Sequence, residues 1–189
     1  MTKAELRIKY KEKRKNITAS QKLKWDDLIL INFQKIELSF INCVHTYLAA
    51  GEQNEIDTEN ILRYLKFINP EMLISVPKID AVTGQLDHYI YDENLQMAIN
   101  SFGIPEPLDG EKILPSAFDL ILVPMLAFDS RGYRVGYGKG FYDKFLQGCR
   151  ADVIKIGLSY FEPVDAIGDI NEFDIPLNYC VTPQSIYQF

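Results

Sequence analysis

Short, mainly apolar runs alternate along the chain with segments that have helical spacing. Apolar runs of this kind, bounded by turn residues, are typical of strands that are covered on both faces. A more mixed segment at 86–91 is expected to return as an edge strand. The buried strands predicted in this way span residues 42–50, 72–76, 120–123, 153–158 and 178–182.

Two capping boxes mark the beginnings of helices in the first quarter of the chain. Thr2 is followed by Glu5, and Thr18 is followed by Gln21, so that each threonine can cap a helix while the third residue reaches back to it. Strong helix formers follow both boxes. The helices predicted on these grounds and on periodicity span residues 2–15, 18–35, 58–67 and 93–101, and a further helix begins at about residue 141.

The alternation of strands and helices predicts an α/β fold. Strands separated by helices favour a predominantly parallel open sheet with helices on both faces, which is a three-layer sandwich. At 189 residues a single domain spanning 1–189 is the default expectation. No internal repeat, low-complexity tract or linker interrupts the sequence.

Composition narrows the classes of function. The formal net charge is −6, so nonspecific binding to nucleic acid is not expected. The three cysteines are far apart, which favours reduced thiols and a cytoplasmic location over a disulfide framework. We expect no secretory signal, because charged residues follow soon after Met1, and no membrane-spanning segment, because no apolar run approaches the required length. With only two histidines a histidine-rich metal site is not expected, and His45, which alternates with apolar residues, is interpreted as structural. We expect a monomer that acts on small molecules.

The segment 119–146 contains the most informative chemistry. The apolar strand 120–123 is closed by Pro124 and followed by a loop that contains four glycines interleaved with basic residues. The loop runs into Phe141, which begins a predicted helix. Glycines allow backbone N–H groups to approach an anion, and a helix N-terminus adds partial positive charge. The loop is therefore a candidate anion site, in which Gly132, Gly136, Gly138 and Gly140 are interleaved with Arg131, Arg134 and Lys139.

The glycine spacing matches neither of the common nucleotide motifs. It differs from the dinucleotide fingerprint, and Gly140 follows Lys139 where a P-loop requires Ser or Thr. A flexible basic surface turn is the alternative interpretation. The aromatic pair Phe141 and Tyr142 argues against a merely solvated loop, because aromatic side chains usually bury or stack.

Basic residues line one face of the first predicted helix. Lys3, Arg7, Lys11 and Arg14 recur at helical spacing, and like charges so placed repel each other by a few tenths of a kcal/mol per pair. The sequence leaves two interpretations open. The face is either solvated, or it closes on a polyanion.

These residues carry a resemblance to a known family. The segment from Pro124 to Asp129, followed by 132–143, resembles the signature of the 5-formyltetrahydrofolate cyclo-ligase family, also called methenyltetrahydrofolate synthetases. Weaker matches fall in family order over nearly the whole chain. They comprise Lys3 and Arg7, residues 54–58, residues 76–78, residues 103–107 and residues 174–179.

The resemblance implies a reaction and its cosubstrates. Members convert 5-formyltetrahydrofolate and ATP to 5,10-methenyltetrahydrofolate, ADP and phosphate, with Mg²⁺. The implied route phosphorylates the formyl oxygen, after which N10 attacks the activated carbon. Such chemistry requires mainly positioning and charge neutralisation from the protein.

The resemblance also assigns roles residue by residue. Contacts to ATP are implied for Lys3, Arg7, Arg134, Val135, Gly136, Tyr137, Gly138, Lys139, Gly140, Phe141 and Tyr142. Contacts to folate are implied for Glu55, Tyr137, Gly138, Lys139, Gly140 and Phe141. Catalytic roles fall on Lys139, Arg134 and Tyr142. Asp143 and Asp174 are the implied Mg²⁺ ligands, because hard oxygen donors suit this cation. The segment 103–107 is implied to be a wall of the substrate pocket.

Two positions depart from the family pattern. Phe173 stands where a histidine is common, and Tyr137 stands where members often carry a second arginine. Two other classes of function stay open. One is a sugar-phosphate isomerase or CoA-transferase relative on the same scaffold, and the other is a non-catalytic module that binds folates or nucleotides.

Overall fold

The computed structural model describes residues 1–49, 53–80, 82–100 and 103–189. Both capping boxes are present, with Thr2 and Thr18 accepting from the backbone of the third helical residue. The helices are α1 (Lys3–Lys15), α2 (Ala19–Phe33), α3 (Glu59–Ile68) and α4 (Phe141–Gln147). The strands are β1 (Cys43–His45), β2 (Leu73–Ile79), β3 (Leu86–Ile90), β4 (Met97–Ile99), β5 (Pro105–Pro107), β6 (Leu120–Val123), β7 (Ala127–Phe128), β8 (Arg134–Val135), β9 (Ile154–Leu158), β10 (Tyr179–Val181) and β11 (Ile186–Gln188).

Seven strands form one sheet in the order β11-β10-β9-β6-β1-β2-β3. The five inner strands are parallel to one another, and the two edge strands pair antiparallel with the inner strands next to them. The predicted parallel sheet and the edge strand at 86–90 are therefore confirmed. Strand β11, at the opposite edge, was not predicted.

Helices cover both faces of the sheet, which confirms the three-layer architecture. Successive residues of β6 point to opposite faces. Leu120 and Leu122 pack with α2 and α3, whereas Ile121 and Val123 pack with α4. The four side chains of β6 are fully buried, as an unbroken apolar run on a central strand requires.

Helix α1 packs outside these layers on the small β7–β8 hairpin. Leu6 and Tyr10 of α1 form a third apolar cluster with Ala127 and Val135 of the hairpin. The buried carboxylate of Asp129 holds the hairpin turn by accepting from the backbone of Arg131 and Tyr133. The hairpin thus positions α1 beside the glycine-rich loop that follows β8.

Three predictions about local structure are corrected. The helix predicted over 93–101 is wrong in its described part, because Met97–Ile99 pairs as a strand with Pro105–Pro107; residue 101 lies outside the described residues. Although this segment contains good helix formers, cross-strand pairing determines its structure.

Strand β2 continues beyond its predicted end, through Pro77 to Ile79, because β3 extends the pairing. Strand β1 ends at His45, and the hydroxyl of the next residue, Thr46, donates to the hydroxyl of Thr58; residue 50, in the predicted strand, lies outside the described residues.

The order of the strands reverses between β1 and β6. From β1 the chain proceeds to β2 on one side, whereas from β6 it proceeds to β9 and β10 on the other. In open parallel sheets a crevice forms beyond the carboxyl ends of the strands at such a reversal, and ligands bind there. None of the helices in the described part of the chain is long and apolar enough to cross a membrane.

Candidate active site

A cleft of about 970 Å³ opens at the carboxyl ends of β1, β2 and β6. It brings together segments that are far apart in the sequence: α1, the loop after β1, the end of β2 and the glycine-rich loop after β8. The predicted site residues that line it are Lys3, Arg7, Glu55, Arg134, Gly136, Tyr137, Gly138, Lys139, Gly140, Phe141, Tyr142, Asp143 and Asp174.

Val135 is the predicted residue that does not line this cleft. Its side chain is fully buried in the cluster beneath α1, and its carbonyl accepts from the backbone of Leu126 at 2.8 Å. Val135 therefore supports the hairpin, and its implied contact with the nucleotide stays a prediction.

The glycine-rich loop presents its backbone to the cleft. Gly138 and Gly140 adopt positive φ angles of 97° and 70°, a region that residues with a Cβ rarely occupy. A Cβ at Gly136 or Gly140 would meet no atom within 4 Å, so open space lies next to the chain there. A Cβ at Gly138 would instead lie 3.1 Å from Nε of Arg7, which means that α1 rests directly against the loop.

Three cations of the basic face of α1, Lys3, Arg7 and Lys11, line the cleft, so the face is not merely solvated, and its closure on a polyanion stays a prediction. Arg7 donates from Nε to the carbonyl oxygen of Gly136 at 3.0 Å. The ammonium group of Lys11 lies 5.8 Å from the centre of the Tyr137 ring, and Arg14 donates to the Tyr137 hydroxyl. The repulsion among these cations is offset by contacts with the loop and with acidic residues.

Both predicted metal ligands form ion pairs with predicted phosphate-binding residues. Asp143 accepts from Nη2 of Arg134 at 2.7 Å, and Asp174 pairs with Nζ of Lys3 at 2.5 Å. Arg134 is almost fully buried and also donates to the carbonyl oxygen of Ile175 at 2.6 Å. Burial lowers the pKa of Arg134, while neighbouring Asp143 and Asp174 act in the opposite direction.

These two carboxylates are suited to share one cation. Both carboxylates raise the pKa of Arg134 through their negative charge, which shows that they lie near the same guanidinium group. The backbone N–H of Ile175, the residue after Asp174, approaches Oδ1 of Asp143 at 3.4 Å. Within the described ranges no group of three or more His, Cys, Asp or Glu residues could hold a metal by itself. Mg²⁺ commonly takes only one or two carboxylates and completes its shell with water and substrate phosphates. The donor set therefore fits a Mg²⁺ ion that arrives with a nucleotide.

Lys139 differs from the other cations of the site. Its side chain is exposed at the tip of the loop, and it forms no ion pair or hydrogen bond with any residue that the structure describes. An unpaired ammonium group on the cleft wall needs no partner to be released before it binds an anion.

A hydrogen-bonded chain connects α1 to Glu55 across the glycine-rich loop. Arg14 donates from Nη1 to the Tyr137 hydroxyl at 2.5 Å, and that hydroxyl donates to Oε1 of Glu55 through a short hydrogen bond. All three groups are largely shielded from solvent, and burial raises the pKa of Tyr137 far above its usual value. Glu55 also borders a smaller adjoining cavity of about 340 Å³, which Lys22, Tyr91 and Met97 help to line.

Tyr142 contributes its ring to the floor of the cleft. Its hydroxyl is buried and has no hydrogen-bond partner among the described residues, and burial raises its pKa. The ring lies edge-on to Phe145 and His45, with centroids 5.9 Å apart in both cases. The arrangement favours stacking on a ligand over hydrogen bonding to it.

Beneath Tyr142 lies a histidine pair that belongs to the core. The His45 and His88 rings are 4.9 Å apart and both pack against Phe118 and Phe145. Burial lowers the pKa of His45 well below its usual value and lowers the pKa of His88 to about 4. The interpretation of His45 as structural agrees with this environment.

Several residues of the cleft were not among the predicted site residues. Ile104, Pro105 and Glu106 form a wall, as the resemblance implied for this segment. Glu106 is held there because its carboxylate accepts from the backbone of Ile79. The helical spacing of Lys11 and Arg14 with Lys3 and Arg7 was the signal that pointed to their shared face. The contact between Tyr137 and Glu55 had no local signal, because 82 positions separate them.

Comparison with known families gives an independent result. Residues 1–183 match the model of the 5-formyltetrahydrofolate cyclo-ligase family. A protein of Escherichia coli (strain K12) named 5-formyltetrahydrofolate cyclo-ligase is 30% identical over 138 residues, which cover 71% of this chain and 75% of that one. A Mus musculus protein of the same name is 25% identical over 154 residues, covering 78% of this chain and 74% of that one.

Solved structures agree with the sequence matches. The NMR structure of 5,10-methenyltetrahydrofolate synthetase from Aquifex aeolicus is 28% identical, with a TM-score of 0.75, and covers all of this chain and 93% of that one. A 5,10-methenyltetrahydrofolate synthetase from Mycoplasma pneumoniae shares the fold at 22% identity, with a TM-score of 0.76 over 97% of this chain and 99% of that one. The chain therefore belongs to the 5-formyltetrahydrofolate cyclo-ligase family.

Proposed function

We propose that this enzyme converts 5-formyltetrahydrofolate and ATP, with Mg²⁺, into 5,10-methenyltetrahydrofolate, ADP and phosphate. Membership of the cyclo-ligase family supports the ligase assignment and an ATP-dependent reaction. The observation that carries the finer proposal is the convergence of a glycine-rich loop, basic side chains and two carboxylates on one cleft that also contains Glu55.

The reaction sets clear requirements for the site. A formamide carbon is a poor electrophile, and its oxygen is a poor leaving group. Transfer of the γ-phosphoryl group to the formyl oxygen releases ADP and forms an activated imidate-like carbon. N10 then attacks this carbon, loses its proton, and phosphate departs with the former formyl oxygen. The protein supplies positioning and charge neutralisation.

The phosphate groups are held by the glycine-rich loop and α1. The backbone of the loop lines the cleft and borders open space at Gly136 and Gly140, and its N–H groups suit phosphate oxygens. Lys139 and Arg134 neutralise charge on the transferring group, while Lys3 and Arg7 close over the triphosphate. Arg7 already lies against the loop, so only a small movement is needed to contact a bound nucleotide.

Asp143 and Asp174 hold the metal. Mg²⁺, when bound, supplies further neutralisation of the phosphate oxygens. In the structure Arg134 and Lys3 neutralise these carboxylates. With a nucleotide present, the two cations would turn to its phosphates, and the two carboxylates would be free to hold the metal.

The folate occupies the other side of the cleft. The carboxylate of Glu55 accepts from the amino and ring N–H groups of the reduced pterin. The ring of Tyr142 and the segment 104–106 enclose the pterin. Burial of Glu55 strengthens its hydrogen bonds, because local dielectric screening is weak.

The proposal is tested by following the absorbance of the methenyl product with purified protein. Product is expected only when 5-formyltetrahydrofolate, ATP and Mg²⁺ are all present. Tight folate or nucleotide binding without product would favour a sensor module instead. Product formation without ATP, or turnover of a sugar phosphate or CoA ester, would favour the isomerase or transferase alternative.

We further propose that residues 1–189 act as one catalytic domain and as a cytoplasmic monomer, on small molecules rather than on nucleic acid or membranes. The net charge of −6 supports the absence of nucleic-acid binding. Light scattering of the purified protein during gel filtration measures the oligomeric state, and a dimer mass would contradict this part of the proposal.

A further inference from the structure

Arg14 is a buried cation without a carboxylate partner at ion-pair distance among the described residues. Only 4% of the residue is exposed, yet no carboxylate oxygen of the described chain lies within 4.0 Å of its guanidinium group. Buried charges are normally paired, because removing them from water is costly. The position of Arg14 therefore calls for an explanation from its contacts.

Arg14 contacts three segments near the cleft: the segment after β6, the glycine-rich loop and the loop that contains Glu55. Nη2 donates to the carbonyl oxygen of Met125 at 2.5 Å, which fixes the guanidinium against the segment after β6. Nη1 donates to the Tyr137 hydroxyl at 2.5 Å. The backbone carbonyl of Arg14 accepts from Nδ2 of Asn54 at 3.1 Å, and Asn54 directly precedes Glu55 in the sequence. Arg14 thus holds the Glu55 loop through its backbone and approaches the Glu55 carboxylate through Tyr137.

The direction of the hydrogen bonds is fixed by chemistry. A guanidinium group can only donate, so the Tyr137 oxygen accepts from Arg14. The single hydroxyl proton of Tyr137 is then directed to Oε1 of Glu55. This order requires an acceptor oxygen on Glu55, and it transmits the positive charge of Arg14 to that carboxylate through one phenol.

Tyr137 is also part of the glycine-rich loop. It lies between Gly136, whose carbonyl accepts from Arg7, and Gly138, against which Arg7 packs. A movement of the loop on phosphate binding therefore displaces the Tyr137 hydroxyl, and with it the orientation of Glu55. The connection between the two sides of the cleft is a continuous set of hydrogen bonds.

We propose that Arg14 is a positioning residue that acts through Tyr137 to orient Glu55, and that this chain of contacts couples nucleotide binding to folate binding. The inference rests on the proposed function, since it takes the loop as the nucleotide site and Glu55 as the folate site. Coupling between two sites is reciprocal, so each ligand strengthens the other by the same factor.

The experiment compares the affinity of the protein for 5-formyltetrahydrofolate with and without a non-hydrolysable ATP analogue and Mg²⁺, by titration calorimetry. For the unmodified protein we expect the analogue to tighten folate binding about tenfold, within the usual range of such couplings. Tyr137→Phe retains the ring and removes the hydroxyl. This variant is expected to bring the ratio of the two dissociation constants close to one.

A matched control exists at the far edge of the sheet. The Tyr187 hydroxyl donates to Glu162, so Tyr187→Phe also removes a tyrosine–glutamate hydrogen bond, but away from the cleft. This variant is expected to retain the ratio of the unmodified protein. Equal loss of coupling in both variants would overturn the proposal, because it would indicate a general effect of losing such a bond.

Variants of Arg14 distinguish positioning from simple support of the fold. Arg14→Met is expected to raise the folate KM more than the ATP KM, with partial rescue in Arg14→Lys. The double variant that combines Arg14→Met with Tyr137→Phe should lose little more coupling than Tyr137→Phe alone, because both changes break the same chain of hydrogen bonds. If Arg14→Met does not fold, Tyr137→Phe alone decides the matter.

The results separate this inference from the proposed function. Retention of coupling in Tyr137→Phe, or absence of coupling in the unmodified protein, overturns the inference even when methenyl product is formed. Absence of methenyl product from the unmodified protein overturns the proposed function, whereas the ratio of dissociation constants is still measured by calorimetry.

Discussion

The two sides of the cleft hold their carboxylates in different ways. On the proposed phosphate side, Asp143 and Asp174 contact the cations Arg134 and Lys3 directly. On the proposed folate side, the Tyr137 hydroxyl separates Glu55 from Arg14, and both ends of this chain are nearly inaccessible to solvent.

This difference suits the two ligands. A direct ion pair can be exchanged when the cation moves to a phosphate and the carboxylate to a metal, because neither shielded charge is then left without an opposite charge. A hydroxyl-mediated contact instead leaves the carboxylate with its charge and fixes its orientation. The phosphate side is therefore suited to exchange of partners, and on the folate side the orientation of the carboxylate follows the position of the Tyr137 hydroxyl.

The largest effect is expected from Asp143→Asn, which removes a proposed metal ligand and the partner of Arg134. We expect kcat/KM to fall about 1,000-fold, because several kcal/mol of charge stabilisation by the metal is lost. The Mg²⁺ concentration that gives half-maximal activity should also rise. An unchanged Mg²⁺ dependence, measured by titration of activity, would exclude Asp143 as a ligand.

A smaller but still strong effect is expected from Lys139→Ala. Removing one group that stabilises the transferring phosphoryl typically costs about 100-fold in kcat/KM. Lys139 is exposed and has no partner among the described residues, so the melting temperature should not change. Lys9→Ala, on the outward face of α1, is the matched control. Equal kcat/KM values for the two variants would remove Lys139 from the mechanism.

An effect of about tenfold is expected from Glu55→Gln. The loss of a charge-assisted hydrogen bond to the pterin costs about 1.5 kcal/mol, and it should appear in the KM for folate rather than in that for ATP. Glu59→Gln, an exposed change at the start of α3, provides the control for the removal of a carboxylate. An equal rise in both KM values would contradict the assignment of Glu55 to the folate side.

The smallest effect on activity is expected from the uncharged histidine pair in the core beneath the cleft. Burial lowers the pKa of His88 to about 4, so the unfolded state, with a pKa near 6.5, binds a proton more tightly than the folded state. The contribution of His88 to stability is complete above about pH 6.5 and is lost as the pH falls toward 4, by at most about 1.4 kcal/mol per pH unit. His45 is shifted in the same direction.

His88→Phe tests the contribution of His88 to the pH dependence of stability. The unfolding free energy of the variant, measured with urea at several pH values, should depend less steeply on pH between 6.5 and 4 than that of the unmodified protein. Activity at neutral pH should change little, because both histidines are uncharged there. An identical pH dependence in the two proteins would contradict the assigned environment of His88.

The sequence was sufficient to predict most of the fold and much of the cleft. The unbroken apolar run of β6 and the two capping boxes are local signals, and local physics decides them. The segment 93–101 was misassigned because its strand pairing depends on Pro105–Pro107, which lies beyond any helical window. The connection from Arg14 through Tyr137 to Glu55 joins three distant segments, and no periodicity encodes such a meeting.

The close approach of Arg7 to Gly138 has a consequence for how this enzyme can change over time. A side chain at position 138 would adopt an unfavourable backbone conformation and would push the Arg7 side chain aside by a few tenths of an ångström. Substitutions are therefore expected to spare Gly138, whereas its neighbour Tyr137 has no positive φ angle that would restrict the side chain there. If that residue sets how strongly the two substrates cooperate, then lineages can retune this cooperation through a single codon without rebuilding the active centre.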